Sequence, residues 1–140
     1  MGGAGRRLLA SSAAYRARTR RLLVRKLREK VAVTRQNAGA ALEAVRSLSS
    51  APQEVDAAVA EDAMQVLTRS VGGLTAQMLQ AGAMQAVAET ANSVLSRVPE
   101  IRNMFVAGSL RRRMQAAVRV ALAQYVTQVR PSVPRRAPLQ

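Results

Sequence analysis

The chain has 140 residues, with 22 Lys and Arg against 8 Asp and Glu, and it contains no His, Cys or Trp. These absences exclude thiol nucleophiles, disulfides, imidazole bases and zinc sites built from Cys or His, so we expect no enzyme activity, metal, cofactor or small-molecule substrate. The net charge of +14 instead indicates binding to a polyanion, such as nucleic acid, an anionic membrane or an acidic protein.

The sequence predicts an all-α fold, because helix-forming residues fill the intervals between sparse Gly and Pro residues. The first predicted helix begins near Arg6 or Ser12 and continues to Leu48, with a loosening at Asn37-Ala38-Gly39. We divide the chain into a long, Arg-rich, basic N-terminal helical arm (1–50), a small helical bundle (51–130) and an extended, basic, Pro-rich C-terminal tail (131–140).

The second predicted helix begins at a capping pattern in which Ser50 is followed by Pro52 and Gln53, and it ends at the pair Gly72-Gly73. Acidic residues gather early in this helix, where they complement the positive end of the helix dipole. They are Glu54, Asp56, Glu61 and Asp62.

The last predicted helices follow from the remaining Gly and Pro positions. A third helix runs from Leu74 to Val98 and is weakened at Gly82, and a short turn or helix spans Pro99 to Ala107. Gly108 then separates a last helix that is capped by Ser109 and reaches Arg130. No apolar stretch is long enough to predict a membrane span.

The charges are concentrated at the two ends of the chain. Residues 1–35 hold eleven basic residues and one acid, residues 36–100 hold three and seven, and residues 101–140 hold eight and none. Twenty of the basic residues are Arg, whose planar guanidinium suits phosphate and carboxylate contacts, although a GC-rich genome produces the same preference. The acidic middle could also pair with the basic ends of a neighbouring copy.

The first helix carries an apolar stripe and an arginine ridge on different sides of a helical wheel. At ~1.5 Å per residue, the ridge from Arg18 to Arg35 covers ~25 Å, and a duplex presents a phosphate charge about every ~1.7 Å. The alternative is a solvated charged face, but like charges without acidic partners destabilise a helix, which favours a polyanion. The stripe contains Leu23, Leu27, Val31, Thr34, Ala38, Leu42 and Val45, and the ridge contains Arg18, Arg21, Arg25, Arg28 and Arg35.

The last helix has the same two-sided pattern. Leu110, Met114, Ala117, Val118, Ala121 and Tyr125 share one side, and Arg112, Arg119 and Arg130 lie opposite. No motif that reads bases is present, so we expect sequence-independent contacts to backbone phosphates. The candidate nucleic-acid-binding residues are Arg6, Arg7, Arg16, Arg18, Arg20, Arg21, Arg25, Arg28, Arg35, Arg111, Arg112, Arg113, Arg119 and Arg130.

This layout of a basic helical arm and a helical bundle resembles the major coat proteins of filamentous archaeal double-stranded DNA viruses. The resemblance extends over the chain at the level of architecture. It implies that this chain pairs with itself or with a paralogous coat subunit, that the arginines meet the phosphates of an A-like duplex, and that the apolar stripes hold the subunit pair. We therefore expect a structural DNA-packaging protein, a helical coat subunit located in the virion.

The alternative is a helical accessory subunit of a mitochondrial or ribosomal assembly, with basic ends on RNA, lipid or acidic partners. Residues 1–35 are Arg-rich, amphipathic and nearly free of acids, as in a mitochondrial targeting sequence, and residues 46–50 look like its cleavage site. The number of copies in the assembly distinguishes the two hypotheses. Neutralising Arg18, Arg21, Arg25 and Arg28 together is expected to weaken packaging and leave the fold nearly intact.

Overall fold

The computed structural model describes the backbone of residues 2–128 and the side chains of residues 12–128, and within that range it contains helices and no strand. The all-α prediction is therefore confirmed, while the predicted tail over residues 131–140 lies outside the described residues. Short 3-10 turns at Pro52–Glu54 and Val98–Glu100 connect longer helices. The helices are α1 (Gly2–Lys30), α2 (Ala38–Leu48), α3 (Ala57–Gly72), α4 (Ala76–Gln80), α5 (Ala83–Leu95) and α6 (Met104–Gln128).

Helix α3 is the centre of the bundle, because it packs against α1, α2, α5 and α6. Its apolar side chains occupy most of its circumference, and small residues such as Ala60 and Ala63 are fully buried. The chain has one Phe and no Trp, so close helix contacts and mid-sized side chains must fill the core. The largest fully buried side chains include Leu42, Met64, Leu67, Leu110 and Met114.

The first predicted helix is divided in two, because α1 ends at Lys30 and α2 begins at Ala38. The break covers residues 31–37 and so lies mainly before the loosening that was expected at Asn37-Ala38-Gly39. The side chain of Asn37 organises the connecting loop. Its Oδ1 accepts a hydrogen bond from the backbone N–H of Thr34 at 2.6 Å, and its Nδ2 donates to the carbonyl oxygen of Ala32 at 2.8 Å. An Asn that binds nearby backbone groups in this way competes with helix formation.

The start of α3 differs from the predicted capping pattern at Ser50. Asp56 is the N-cap, and its Oδ1 accepts a hydrogen bond from the backbone N–H of Val59 at 2.9 Å. Pro52 instead begins a separate 3-10 turn. The predicted end is confirmed, since α3 ends at Gly72.

The predicted third helix is divided into α4 and α5 at Gly82, which has a φ of +105°. Residues with a Cβ rarely adopt this left-handed backbone region. Thr75 caps the short α4 by accepting a hydrogen bond from the N–H of Met78 at 3.3 Å. The glycine that was expected to weaken a helix therefore ends one helix and begins another.

Replacing Gly82 with Ala is expected to lower the free energy of unfolding by about 1–2 kcal/mol, because an added Cβ strains the left-handed backbone. The matched control is Gly72→Ala at the end of α3, where an added Cβ meets no heavy atom within 4 Å. That change is expected to stabilise the fold by about 0.4–1 kcal/mol. Urea unfolding measures the free energy of unfolding of both variants. Changes of the same sign would contradict the assignment of Gly82 to the left-handed backbone region.

Helix α6 begins earlier than predicted and runs through Gly108. Its first turn is capped by Asn103, whose Oδ1 accepts hydrogen bonds from the N–H groups of Phe105 at 3.0 Å and Val106 at 3.2 Å. Gly inside a helix costs about 1 kcal/mol, which this cap and the burial of Leu110 offset. Ser109 is therefore an interior residue and does not cap the helix.

Candidate nucleic-acid interface

All eight acidic side chains of the protein form ion pairs with arginines of the same chain. The cluster at the start of α3 does more than complement the helix dipole, because it holds α1 and α6 against the bundle. The pairs from this cluster are Glu54 with Arg16 and Arg20, Asp56 with Arg21, Asp62 with Arg28, and Glu61 with Arg113.

Arg20 joins α1 to two other parts of the fold. Its Nε lies 2.7 Å from Oε2 of Glu54, and its Nη1 donates to the carbonyl oxygens of Ser47 at 3.3 Å and Leu48 at 3.2 Å. These carbonyls belong to the last turn of α2, where cations interact favourably with the helix dipole. A residue that was predicted to bind phosphate is therefore a structural contact in this fold.

The predicted apolar stripe is confirmed in part, because Ala38, Leu42 and Val45 are buried and Leu27 packs against the core, but Leu23 is exposed. Val24 is 0% exposed, whereas its neighbours Leu22 and Leu23 are 54% and 46% exposed. Burying the Val24 side places Arg21 and Arg28 within reach of the acids of α3. The predicted arginine ridge is therefore divided: Arg21 and Arg28 are paired, Arg18 and Arg25 are exposed on α1, and Arg35 is exposed after it.

The buried face of α6 agrees with the sequence pattern. Leu110, Met114, Ala117 and Ala121 are buried, while Tyr125 is 39% exposed. On the outer side, Arg111, Arg112 and Arg119 are exposed. The outer side of α6 is therefore a basic surface without acidic residues.

Glu61 and Asp62 are adjacent in α3, but their carboxyl groups have opposite pKa shifts. The guanidinium of Arg113 donates to both carboxylate oxygens of Glu61, with Nη1 2.7 Å from Oε1, and this hydrogen bonding lowers the pKa of Glu61. Burial raises the pKa of Asp62, against the attraction of Arg28 and Arg25. The Glu61 pair therefore contributes stability above the ordinary pKa of Glu that is lost as pH falls through the lowered pKa.

The contact between Arg28 and Asp62 is close but poorly aligned. Nε of Arg28 lies 2.7 Å from Oδ1 of Asp62, although this Nε has no hydrogen bond of acceptable geometry. The pair is therefore a charge contact without an aligned hydrogen bond, and its attraction opposes the rise in the pKa of Asp62 that burial causes. Asp62 is 6% exposed, so Arg28 neutralises a carboxylate that has little access to water.

The other basic side chains of residues 12–128 form no ion pair with a described carboxylate. Arg69 instead donates to the carbonyl oxygen of Arg28 at 2.8 Å. The candidate set drawn from the sequence omits Arg69 and Arg102, which stand alone in the sequence, and the two lysines, Lys26 and Lys30. The full set is Arg18, Arg25, Lys26, Lys30, Arg35, Arg69, Arg102, Arg111, Arg112 and Arg119.

The predicted binding residues therefore fall into three groups. The side chains of Arg6, Arg7 and Arg130 lie outside the described residues. Five more, which are Arg16, Arg20, Arg21, Arg28 and Arg113, are paired with acids, and six, which are Arg18, Arg25, Arg35, Arg111, Arg112 and Arg119, are exposed and without an ion pair to a described carboxylate.

Within the described residues, no group of three acidic side chains is placed to hold a metal ion. No helix in this range combines the length and apolar character that crossing a bilayer requires. The groups that this arrangement offers for binding are the exposed guanidinium and ammonium groups on α1 and α6.

Comparison with models of known protein families, with curated proteins and with solved structures found no match.

Proposed function

We propose that this chain is a non-enzymatic structural protein that binds the phosphate backbone of duplex DNA and packages it in many copies, as a coat subunit of a helical virion. The observation that carries this proposal is the excess of exposed cations after every acid has been paired. They include Arg18, Arg25 and Lys26 on α1 and Arg111, Arg112 and Arg119 on α6.

The spacing of these cations suits a phosphate backbone. At ~1.5 Å per residue, Arg18 and Lys26 lie ~12 Å apart along α1, and Arg111 and Arg119 lie a similar distance apart along α6. A duplex presents a phosphate charge about every ~1.7 Å of its axis, so each helix can meet several phosphates. Contacts of this kind position a protein without reading bases, and we therefore propose sequence-independent binding.

The proposal is tested by titrating labelled duplexes of random and fixed sequence and following fluorescence anisotropy at several salt concentrations. If all six cations meet phosphate, the slope of log affinity against log salt is expected to be about −5, because each contact contributes about 0.9. Duplexes of different sequence should give the same affinity. A slope near zero, or a strong preference for one sequence, would contradict the proposal.

A second candidate function is an accessory subunit of a mitochondrial or ribosomal assembly. The observation that favours it is apolar surface beside the basic surface, since Leu22, Leu23, Met104 and Phe105 are exposed, and unlike protein neighbours would cover such side chains. Copy number in the native particle distinguishes the candidates. Many identical chains around one duplex support the coat subunit, and one copy among unlike proteins supports the accessory subunit.

A further inference from the structure

The most exposed large apolar side chains of the described residues lie together at the start of α6. Phe105, the one Phe of the chain, is 88% exposed, and Met104 beside it is 85% exposed. Asn103 caps the helix immediately before them, so both side chains project from a defined first turn. We call Met104 and Phe105 the apolar knob.

A cleft of about 350 Å³ opens next to the apolar knob. Its wall includes Val55, Ala57, Ile101 and Val106, and Val106 directly follows Phe105 in α6. Since a cavity of about 150 Å³ already accommodates a benzene ring, this cleft has room for a Phe side chain. The chain's own Phe105 leaves it empty, because that ring is almost wholly exposed.

We propose that two copies of this chain associate through this surface, with the apolar knob of each copy seated in the cleft of the other. Knob and cleft share the segment from Ile101 to Val106, so a copy seated in the cleft also covers the neighbouring knob. A head-to-tail chain would need knob and cleft to face different partners, which their adjacency prevents. The arrangement is therefore a closed, two-fold dimer in which both copies use the same patch.

The charges at the rim of the cleft are self-complementary. Arg102 lines the cleft and is an exposed cation without an ion pair to a described carboxylate. Glu100 also lines the cleft. Its Oε2 lies 2.7 Å from Nη2 of Arg97, but its side chain is still 61% exposed. A two-fold axis close to Asn103 brings Arg102 of one copy to the second copy's Glu100, and the reciprocal pair forms at the same time.

This inference moves the expected subunit pair from the apolar stripes, which are largely buried within the chain's own bundle, to the start of α6, and the association requires no DNA. It is tested on the full chain without nucleic acid by sedimentation velocity over a series of protein concentrations. We expect a concentration-dependent dimer. Phe105→Ala is expected to weaken dimerisation by about 30-fold for each of the two aromatic contacts that the two-fold dimer loses, with thermal unfolding of the monomer unchanged because the ring is exposed.

The matched control is Leu22→Ala, which shortens another exposed apolar side chain, on α1, and should leave dimerisation unchanged. A charge exchange tests the two-fold geometry: Arg102→Glu and Glu100→Arg should each weaken the dimer, and the two together should restore it. A monomer at every concentration, or a dimer insensitive to Phe105→Ala, would overturn the inference and assign the apolar knob to another molecule. Since DNA is absent, either outcome is independent of the salt dependence of duplex binding.

Discussion

Replacing Arg111, Arg112 and Arg119 with Gln is expected to reduce the magnitude of the slope of log duplex affinity against log salt by about 2.7. Each lost phosphate contact removes about 0.9 from this slope. The affinity should fall for all duplex sequences alike, as is typical of backbone contacts. The three side chains are exposed and form no ion pair with a described carboxylate, so the fold should be unaffected. Fluorescence anisotropy across salt concentrations measures the slope.

The matched control replaces Arg16, Arg21 and Arg46 with Gln, which removes the same number of positive charges from arginines that are paired with acids. If binding depends on accessible cations, this variant should keep nearly the parental slope. If binding depends only on net charge, both triple variants will lose affinity equally. Equal losses would show that the assigned outer side of α6 is wrong, and circular dichroism confirms that both variants are folded.

Neutralising Arg18, Arg21, Arg25 and Arg28 together does not test phosphate binding alone. Arg28 lies against the buried Asp62, so neutralising all four residues would change stability and binding together, whereas the solvent-exposed pair of Arg21 and Asp56 contributes little to stability. Within this set, Arg18 and Arg25 are the side chains without an ion pair to a described carboxylate. A variant limited to those two residues separates contact with phosphate from attachment of α1.

The packing of α6 was predictable from sequence, whereas that of α1 was not. In α6, Leu110, Met114 and Ala117 repeat with helical spacing, and the opposite side is basic, so one orientation buries apolar surface and exposes charge. In α1, both the Leu23 side and the Val24 side offer apolar contacts. The choice between them depends on acids of α3, which are distant in sequence.

Pairing of charges was the main feature that local patterns could not reveal. Acids near a helix start are fully explained by the helix dipole, so Glu61 and Asp62 gave no signal of partners on α6 and α1. The predicted start of the last helix was wrong for a related reason. Gly108 suggests a break in the helix, but the Asn103 cap and the buried Leu110 stabilise a helix that continues through it. Tertiary contacts decided each of these cases.

The largest expected effect on stability comes from Arg28→Met, which should lower the free energy of unfolding at pH 7 by about 3 kcal/mol. Met retains an apolar stem of similar length but leaves the carboxylate of Asp62 buried without its closest cation, and breaking a buried pair from one side costs about 3–5 kcal/mol. The low end applies because Arg25 also attracts this carboxylate. Urea unfolding measures the change.

Asp62→Asn should cost less than Arg28→Met, because it removes the buried charge and leaves Arg28, whose side chain is 29% exposed, in contact with water. Loss of a partner is tolerable at a solvated cation and costly at a buried anion. Arg18→Met is the matched control, since Arg18 is exposed on the same helix, and its effect should stay within about 0.5 kcal/mol.

The pH dependence provides an independent check of the charge at Asp62. Burial raises the pKa of Asp62 in the folded state, so the folded protein binds this proton more readily than the unfolded chain, and the residue's contribution to stability increases as pH falls toward the ordinary pKa of Asp. Removing Arg28 raises that pKa further. The deficit of Arg28→Met relative to the parent should therefore shrink as pH falls, and a deficit independent of pH would mean that packing, not charge, fixes α1 on α3.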